Sequence, residues 1–481
     1  MLKTAFIHHS STPALYFPPF PLAPASPIRL GTGVILSWFL AALAVLSLAL
    51  LLWQWIVAVR FPLHERSADL RIGTKQGAPG PDTPNRSSAP RPPVTLLKPL
   101  KGCDASTEDC LRSWFAQKYN GEIQILCGVA AADDPVCEVV HRLMRENPTR
   151  DAQLIICGLV LGANAKVSTL AQLEKLAKHE IWVISDADVR VPPDLLANAV
   201  MPLYDSDGRA GSPLPAALQS ARDGAHGVTR PTGRTVGLVN CFYRLANPAT
   251  LAMQWEAIAI NADFWSQVLQ SQSLKPLDFA LGAVMVTRRK PLEEIGGFKA
   301  LTDCLADDYQ LGNRIARKGY RIALCPVVAE CWDPPTGWSG VWKHQLRWAR
   351  TIRVCQPLPY FFSILSNAGF WAMLWLIAAL PFTTVTTTTL STAGSSYVQS
   401  SVIEPVWEAK AALACCFIRM LCAYDLQRRL TRSSKHTIYF WLVPIKDLLQ
   451  AVLWLCAFAG NRIEWRGQKF ELRRDGTLKK N

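Results

Sequence analysis

One stretch constrains this chain more than any other. Gly33 to Val59 (GVILSWFLAALAVLSLALLLWQWIVAV) runs for 27 residues without a charged side chain. At about 1.5 Å per residue, a helix of that length exceeds the ~30 Å hydrocarbon core of a bilayer, so it can span with some tilt. The apolar region of a secretory signal is shorter, ~7–15 residues, and lies nearer the N-terminus. The run is therefore expected to be a membrane helix. Lys3 and Arg29 precede it, whereas Arg60, Arg66, Arg71, Lys75, Arg86 and Arg91 come after it. That bias places the chain beyond Val59 in the cytosol. Fourteen cysteines without a CxxC pair fit a reducing compartment and suggest neither a zinc site nor a disulfide framework. The net charge is +14. Its basic residues cluster beside apolar segments, where anionic lipid headgroups account for them, so no nucleic-acid partner is expected.

After an N-terminal tail (1–32), the membrane helix (33–59) and a flexible Pro/Gly/Ser-rich linker (60–93), the pattern changes. Short apolar runs at Val94–Leu97, Glu122–Cys127, Leu154–Cys157 and Ile181–Ser185 alternate with helical spacing at Thr107–Gln117, Pro135–Asn147 and Lys166–Lys178. Such alternation predicts an α/β domain with a mostly parallel sheet, here over 94–357 with an exposed insertion at 205–235. Val354 to Ile403 again lacks charge. A second membrane region is expected over 358–460, with spans near 359–382 and 406–424 joined by a Thr/Ser-rich loop. The segment 437–459 contains Lys446 and Asp447. If it crossed, the basic tail at 461–481 would lie outside, so an interfacial or re-entrant helix is expected, leaving that tail cytosolic.

The strand Ile181–Ser185 ends in Asp186 and Asp188. Residues i and i+2 of an extended strand point the same way. In a parallel sheet, ligands sit beyond the carboxyl ends of the strands. Two carboxylates ~5 Å apart repel by roughly 3 kcal/mol at an effective dielectric near 20. A divalent cation removes that penalty, and hard oxygen donors suit Mg²⁺ or Mn²⁺. The alternative is that one carboxylate caps the next helix and the other is solvated; Asp194, after two prolines, reads as a helix cap. Asp133 and Asp134 also lie just after a strand, where they could accept hydrogen bonds from a nucleotide or cap the next helix. Asp307 and Asp308 open a helix; one could cap it, or serve as a general base. In VWKHQLRWARTIR, His344, Arg347, Arg350 and Arg353 share a cationic face beside Trp342 and Trp348. That face suits either an anionic bilayer surface or a diphosphate.

The ordered set TLLKPLKGCD, ADDPV, ISDADVRVPPD, LADDYQLG and HQLRWARTIR resembles the ceramide glucosyltransferase family, glycosyltransferase family 21. Within it, NADF, FALGAVMVTRR, IGGF and LADDYQLGNRIA look most like the bacterial hopanoid-biosynthesis glycosyltransferases. The resemblance covers about Val94 to Pro357, plus IEWRG near the C-terminus. It implies a GT-A nucleotide-sugar-binding domain, inversion at the sugar carbon, and transfer from a UDP-sugar donor to a lipid acceptor. The implied setting is multi-pass in a bacterial inner membrane, with a divalent cation, Mg²⁺ or Mn²⁺. It further implies that Asp134 and Asp186 are the first two aspartates of the family and Asp308 the third, the base. Arg347 and Trp348 match the Arg-Trp pair that binds diphosphate, and Lys166 matches a lysine near the nucleotide. Two departures stand out: His344 replaces a Gln or Arg, and Ala131 stands where related enzymes often have a further acid. A processive polysaccharide synthase, or a scaffold with a degenerate transferase domain, are the competing readings.

Overall fold

The computed structural model describes residues 32–64, 91–204, 235–380, 384–392, 395–404, 407–433, 437–465 and 468–480. Almost all of the N-terminal tail, most of the 60–93 linker and nearly the whole 205–235 insertion lie outside the described residues.

Eight strands form one mixed sheet in the order β3-β2-β1-β4-β7-β6-β8-β5. They are β1 (Val94–Pro99), β2 (Ile123–Val129), β3 (Asp151–Ile156), β4 (Ile181–Ser185), β5 (Val189–Arg190), β6 (Val236–Leu245), β7 (Val284–Arg288) and β8 (Arg321–Cys331). Pairings β3-β2, β2-β1, β1-β4 and β6-β8 are parallel, whereas β7 runs antiparallel to both β4 and β6, and β5 to β8. The fold is thus α/β with a mostly parallel sheet, as the alternating pattern predicts. Every residue of β1, β2 and β4 is buried. That is expected of strands covered by helices on both faces.

Two core layers arise from side-chain alternation along those strands. Leu97, Leu126, Trp182 and Ile184 pack on one face; Leu96, Ile125, Ile181 and Val183 pack on the other. Helices α2 (Thr107–Phe115) and α3 (Val136–Glu146) lie over the second layer. Val136, Val139, Val140 and Leu143 of α3 repeat at the i, i+3, i+4, i+7 spacing of one buried helical face. Helices α4 (Ala165–Leu173) and α5 (Leu195–Tyr204) come after β3 and β5. A helical run then carries α6 (Leu251–Ile258), a π turn (Ala259–Phe264) and α7 (Trp265–Leu274) without a break. The short α8 (Arg289–Glu293) precedes α9 (Asp307–Arg317) and the long α10 (Trp338–Cys355).

The first apolar run is the helix α1 (Thr32–Arg60), and Ile35–Arg60 is long and apolar enough to cross a membrane. The segment expected to span near 359–382 is instead broken. Pro357–Ser366, which contains α11 (Pro357–Phe362), meets α12 (Ala368–Ala379) at 49°. The Thr/Ser-rich stretch forms an antiparallel pair, β9 (Thr384–Thr392) and β10 (Ser395–Glu404), where a loop was expected. Next come α13 (Trp407–Thr431) and α14 (Val443–Phe458). With the turn before it, α14 forms a run, Ile438–Phe458, that could also cross by length and composition. Leu40, Ala41 and Ala44 of α1 pack against Ala372 and Trp375 of α12 and Ala412 and Cys415 of α13. Small side chains at that seam let the helices approach closely.

The basic C-terminal segment is not an extended tail. It folds into a three-stranded antiparallel sheet, β11 (Arg462–Trp465), β12 (Gln468–Leu472) and β13 (Leu478–Lys480). Ile463, Phe470, Leu472 and Leu478 bury against Leu305, just ahead of α9.

Candidate active site

Strands β1, β2 and β4 run parallel in register, so their carboxyl ends open on the same edge. Asp186 lies just beyond β4 and meets Lys166 of α4, with Nζ 2.6 Å from Asp186 Oδ1 and 3.0 Å from Asp307 Oδ2. Asn164 caps α4 by accepting from Val167 N–H at 3.2 Å, and also donates to Cys304 C=O at 2.9 Å. The start of α4 is thereby tied to the segment that delivers Asp307 and Asp308. Burial alone would lower the Lys166 pKa, but the charges of Asp186 and Asp307 outweigh it and hold the ammonium well above its usual value. Lys166 therefore stays protonated and joins the end of β4 to the start of α9.

Asp188 is half-buried. Burial first, then the charges of Asp186 and Asp333, push its carboxyl up to about 7. The second charge of the acid pair is thus poorly stabilised by the chain alone, the condition a bound cation relieves. Among the described residues, no group of three or more His, Cys, Asp or Glu could hold a metal ion. Two carboxylates still suit Mg²⁺ or Mn²⁺ when a substrate phosphate and water complete the shell. Asp186 and Asp188 fit that role and differ in setting: Asp186 is ion-paired to Lys166, whereas among the described residues no cation pairs with Asp188.

Asp308 is brought to the same place. Its carboxyl accepts from Tyr309 N–H at 2.8 Å. Burial, then the charge of Asp307, raises its pKa to about 6 against the pull of Lys166. Neither Asp307 nor Asp308 caps α9; Ala306 holds that position. A Cβ on Gly282 would stand 2.8 Å from Asp308 Oδ2, so a side chain there would push the carboxylate aside. From the other side, Leu478 N–H donates to Asp303 C=O at 2.7 Å and Leu305 N–H to Gly476 C=O at 3.3 Å. The C-terminal sheet thus braces the loop ahead of Asp308.

The first acidic pair splits. Asp133 is exposed, whereas Asp134 accepts from Gly102 N–H at 3.0 Å and from Val136 N–H at 3.0 Å. Gly102 has φ +70°, a left-handed conformation that glycine adopts without strain, and this turns the KPLKG loop toward Asp134. Asp134 therefore both opens α3 and pins the loop after β1. Asp194 does not cap through its side chain; Oδ2 pairs with His64 Nε2 at 2.7 Å, tying the segment after α1 to the domain.

On α10, His344 and Trp348 share a face, ring centroids 4.6 Å apart. His344 Nδ1 lies 2.7 Å from Glu256 Oε1, which also accepts from Gln345 Nε2 at 2.8 Å. Arg347 and His344 both lower the Asp333 pKa, although burial raises it overall. The charge of Asp333 also raises the Asp188 pKa. Arg350 and Arg353 do not belong to this face. Arg350 donates to Arg462 C=O and Arg353 to Asn461 Oδ1 and Gly460 C=O, so they dock the C-terminal sheet rather than a bilayer or diphosphate.

Three residues with a part in this arrangement are not singled out by the sequence. Lys98, at the end of β1, is buried and donates to Ser185 Oγ at 3.2 Å and to Asp186 C=O. Burial lowers its pKa to about 8, against the pull of Asp188 and Asp186. It is a cation placed beneath the acid pair. The others are Glu256 and Asp333. The available signals were a lone lysine inside TLLKPL and a lone acid inside the apolar LAMQWEAI.

A family model described as Glycosyl transferase family 21 matches residues 37–214 and 215–478. Among curated proteins, a ceramide glucosyltransferase of Candida albicans is 32% identical over 121 residues, 23% of this chain and 22% of the relative. Ceramide glucosyltransferase 1 of Caenorhabditis elegans is 21% identical over 234 residues, 48% of this chain and 44% of the relative. The chain thus spans less than half the length of these curated relatives. Among solved structures, a mannosyltransferase from Pyrobaculum calidifontis in complex with GDP-Man and Mn²⁺ aligns with a TM-score of 0.41 at 20% identity. That alignment covers 87% of this chain and 99% of the other.

Proposed function

The chain belongs to glycosyl transferase family 21, and on that premise we propose that it moves one sugar from a UDP-sugar to a lipid hydroxyl with inversion at the anomeric carbon. The observation that best supports this reading is the Lys166 bridge between Asp186 and Asp307. It sets the carboxylates at the end of β4 at a fixed separation from Asp308, the residue after Asp307.

Asp186 and Asp188 are the residues that would hold a divalent cation. When bound, it would offset the negative charge of the departing diphosphate. Arg347, with His344 beside it, would stabilise the same leaving group, and Glu256 holds the His344 ring through Nδ1. Asp134 shapes the loop after β1 against which the nucleotide packs. Asp308 takes the proton of the lipid hydroxyl. The hydroxyl oxygen forms a bond to the anomeric carbon as that carbon's bond to the diphosphate oxygen breaks on the opposite face. A carboxyl near 6 is largely ionised at neutral pH, yet is a stronger base than an unperturbed aspartate. Positioning of both substrates supplies the larger share of acceleration.

The membrane helices fit a lipid acceptor that is concentrated in two dimensions. The basic residues after α1 favour a cytosolic domain, and the resemblance to bacterial hopanoid-biosynthesis transferases favours a multi-pass chain in a bacterial inner membrane. The motifs FALGAVMVTRR and IGGF favour a hopanoid polyol receiving N-acetylglucosamine; ceramide receiving glucose is the second acceptor to test. Membranes incubated with radiolabelled UDP-glucose and UDP-N-acetylglucosamine against both lipids decide between them. One labelled glycolipid is expected; a ladder of polymeric products, or UDP binding without turnover, overturns the reading.

A further inference from the structure

Four ionisable side chains outside the transfer chemistry lie buried where the sheet domain meets the apolar helices. Asp263 belongs to the π turn, Arg419 to α13, and Lys446 and Asp447 to α14; each is less than one-tenth exposed. Arg419 donates through Nε to Asp447 Oδ2 at 2.8 Å, and through Nη2 to Asp447 Oδ1 at 2.9 Å and Asp263 Oδ2 at 3.0 Å. Lys446 Nζ donates to Asp263 Oδ2 and lies 2.9 Å from Asp447 Oδ1. Two cations face two anions. Stability alone explains such a cluster poorly, because well-packed apolar side chains often do as well; fixed register is what it adds. Ionisable groups in helices of membrane character are costly and typically serve function.

The backbone beside the cluster is unusual as well. A π turn inserts an extra residue into a helix and is frequent at functional sites. Its side chains point to three different parts of the molecule. Asn261 accepts from Leu245 N–H at 2.9 Å and donates to Leu245 C=O at 3.1 Å, gripping the last residue of β6. Asp263 enters the ion cluster. Phe264 packs on Tyr243 with ring centroids 5.6 Å apart and on Trp348 at 6.5 Å. Burial, then the neighbouring Cys331, Asp308, Asp186 and Glu256, raises the Tyr243 pKa, and Trp348 lies against His344. One turn of helix therefore connects the sheet, helices α13 and α14, and the aromatic side chains beside His344.

We propose that Asp263 is a positioning residue that holds α13 and α14 in register with the Tyr243–Phe264–Trp348 wall, setting the depth at which a lipid hydroxyl reaches Asp308. This rests on the lipid-transfer reading above. It predicts that the link matters for the acceptor and not for the nucleotide.

The test uses the full-length protein in lipid nanodiscs. Asp263→Ala combined with Lys446→Met removes the link while leaving Arg419 balanced by Asp447. Acceptor KM is expected to rise about tenfold or more, as misplacement of a reacting group does. UDP affinity is expected to stay within about twofold, since the changes lie away from the nucleotide. An unchanged acceptor KM overturns the proposal, as does an equal loss of UDP binding. Should the double variant fail to accumulate, Asp263→Asn serves. It keeps an oxygen to accept from Arg419 but loses the charge, and a KM rise of about threefold is expected. A wild-type KM there overturns the proposal too. Failure of the wild-type protein to glycosylate any lipid overturns both readings, whereas unchanged KM in a working enzyme overturns this one alone.

Discussion

Replacing Asp308 by Asn removes the proposed base while keeping its shape. General-base catalysis typically contributes ~10²–10⁴-fold, so turnover should fall by that factor, about 3–5 kcal/mol of activation free energy. The pH dependence carries the residue's signature. Burial and the neighbouring charge of Asp307 push the carboxyl up to about 6. It is therefore about nine-tenths ionised at pH 7 and about one-tenth at pH 5, so this group alone lowers wild-type turnover roughly tenfold over that interval. The residual activity of the Asn variant should lose that limb. Stability moves the other way. The folded pKa lies above the unfolded one, so the folded state binds the proton more tightly. Stability therefore falls as pH rises from about 4 to 6 and is level above. Asn removes that cost. A shift of about two units corresponds to ~3 kcal/mol, reduced to roughly 1–2 kcal/mol because solvent reaches the carboxyl. Radiolabel transfer to extracted lipid from pH 5 to 8, with thermal unfolding at pH 4 and 7.5, reads both effects. An Asn variant with more than half the wild-type turnover at pH 7, or with an unchanged acid limb, refutes the reasoning.

Other changes probe the surrounding scaffold. Lys166→Met leaves Asp186 and Asp307 without their shared cation. It should lower stability by about 1–3 kcal/mol and weaken UDP-sugar binding, measured by thermal shift and calorimetry. Glu256→Gln removes a charged acceptor from His344, worth about 1.5–3 kcal/mol. Tenfold or greater loss of turnover with intact folding is expected, and wild-type kinetics would remove His344 orientation from the account. Gly282→Ala forces a methyl against Asp308. Turnover should fall at least tenfold while UDP affinity holds, a misplacement effect.

Much of the sheet domain was legible because its strands are buried on both faces and its helices are amphipathic. Apolar runs and 3.6-residue spacing report both conditions directly. The carboxyl-end position of Asp186 and Asp188 is a consequence of that topology alone. Lys98 and Glu256 were not legible, since a buried charge differs from an exposed one only in its partners, and those come from other strands and helices. The same reason misdirected Arg350 and Arg353. A basic residue on a helix face looks alike in sequence whether it meets lipid headgroups or the carbonyls of a C-terminal strand. The three-stranded C-terminal sheet was hidden by its basic surface, although Ile463, Phe470 and Leu472 supply a small core. Asp447 and Arg419 show the limit for charge rules in apolar segments. Their mutual pairing removes the penalty that would otherwise set the position of α14.

The claim on which the rest depends is that the two carboxylates after β4 hold the nucleotide diphosphate only together with a divalent ion. Calorimetric titration of UDP into chelator-treated protein, repeated with Mg²⁺ or Mn²⁺ restored and again with Asp188→Ala, measures this directly. The account predicts tight binding only in wild-type protein with the ion restored. Equal affinity across all three conditions would contradict it.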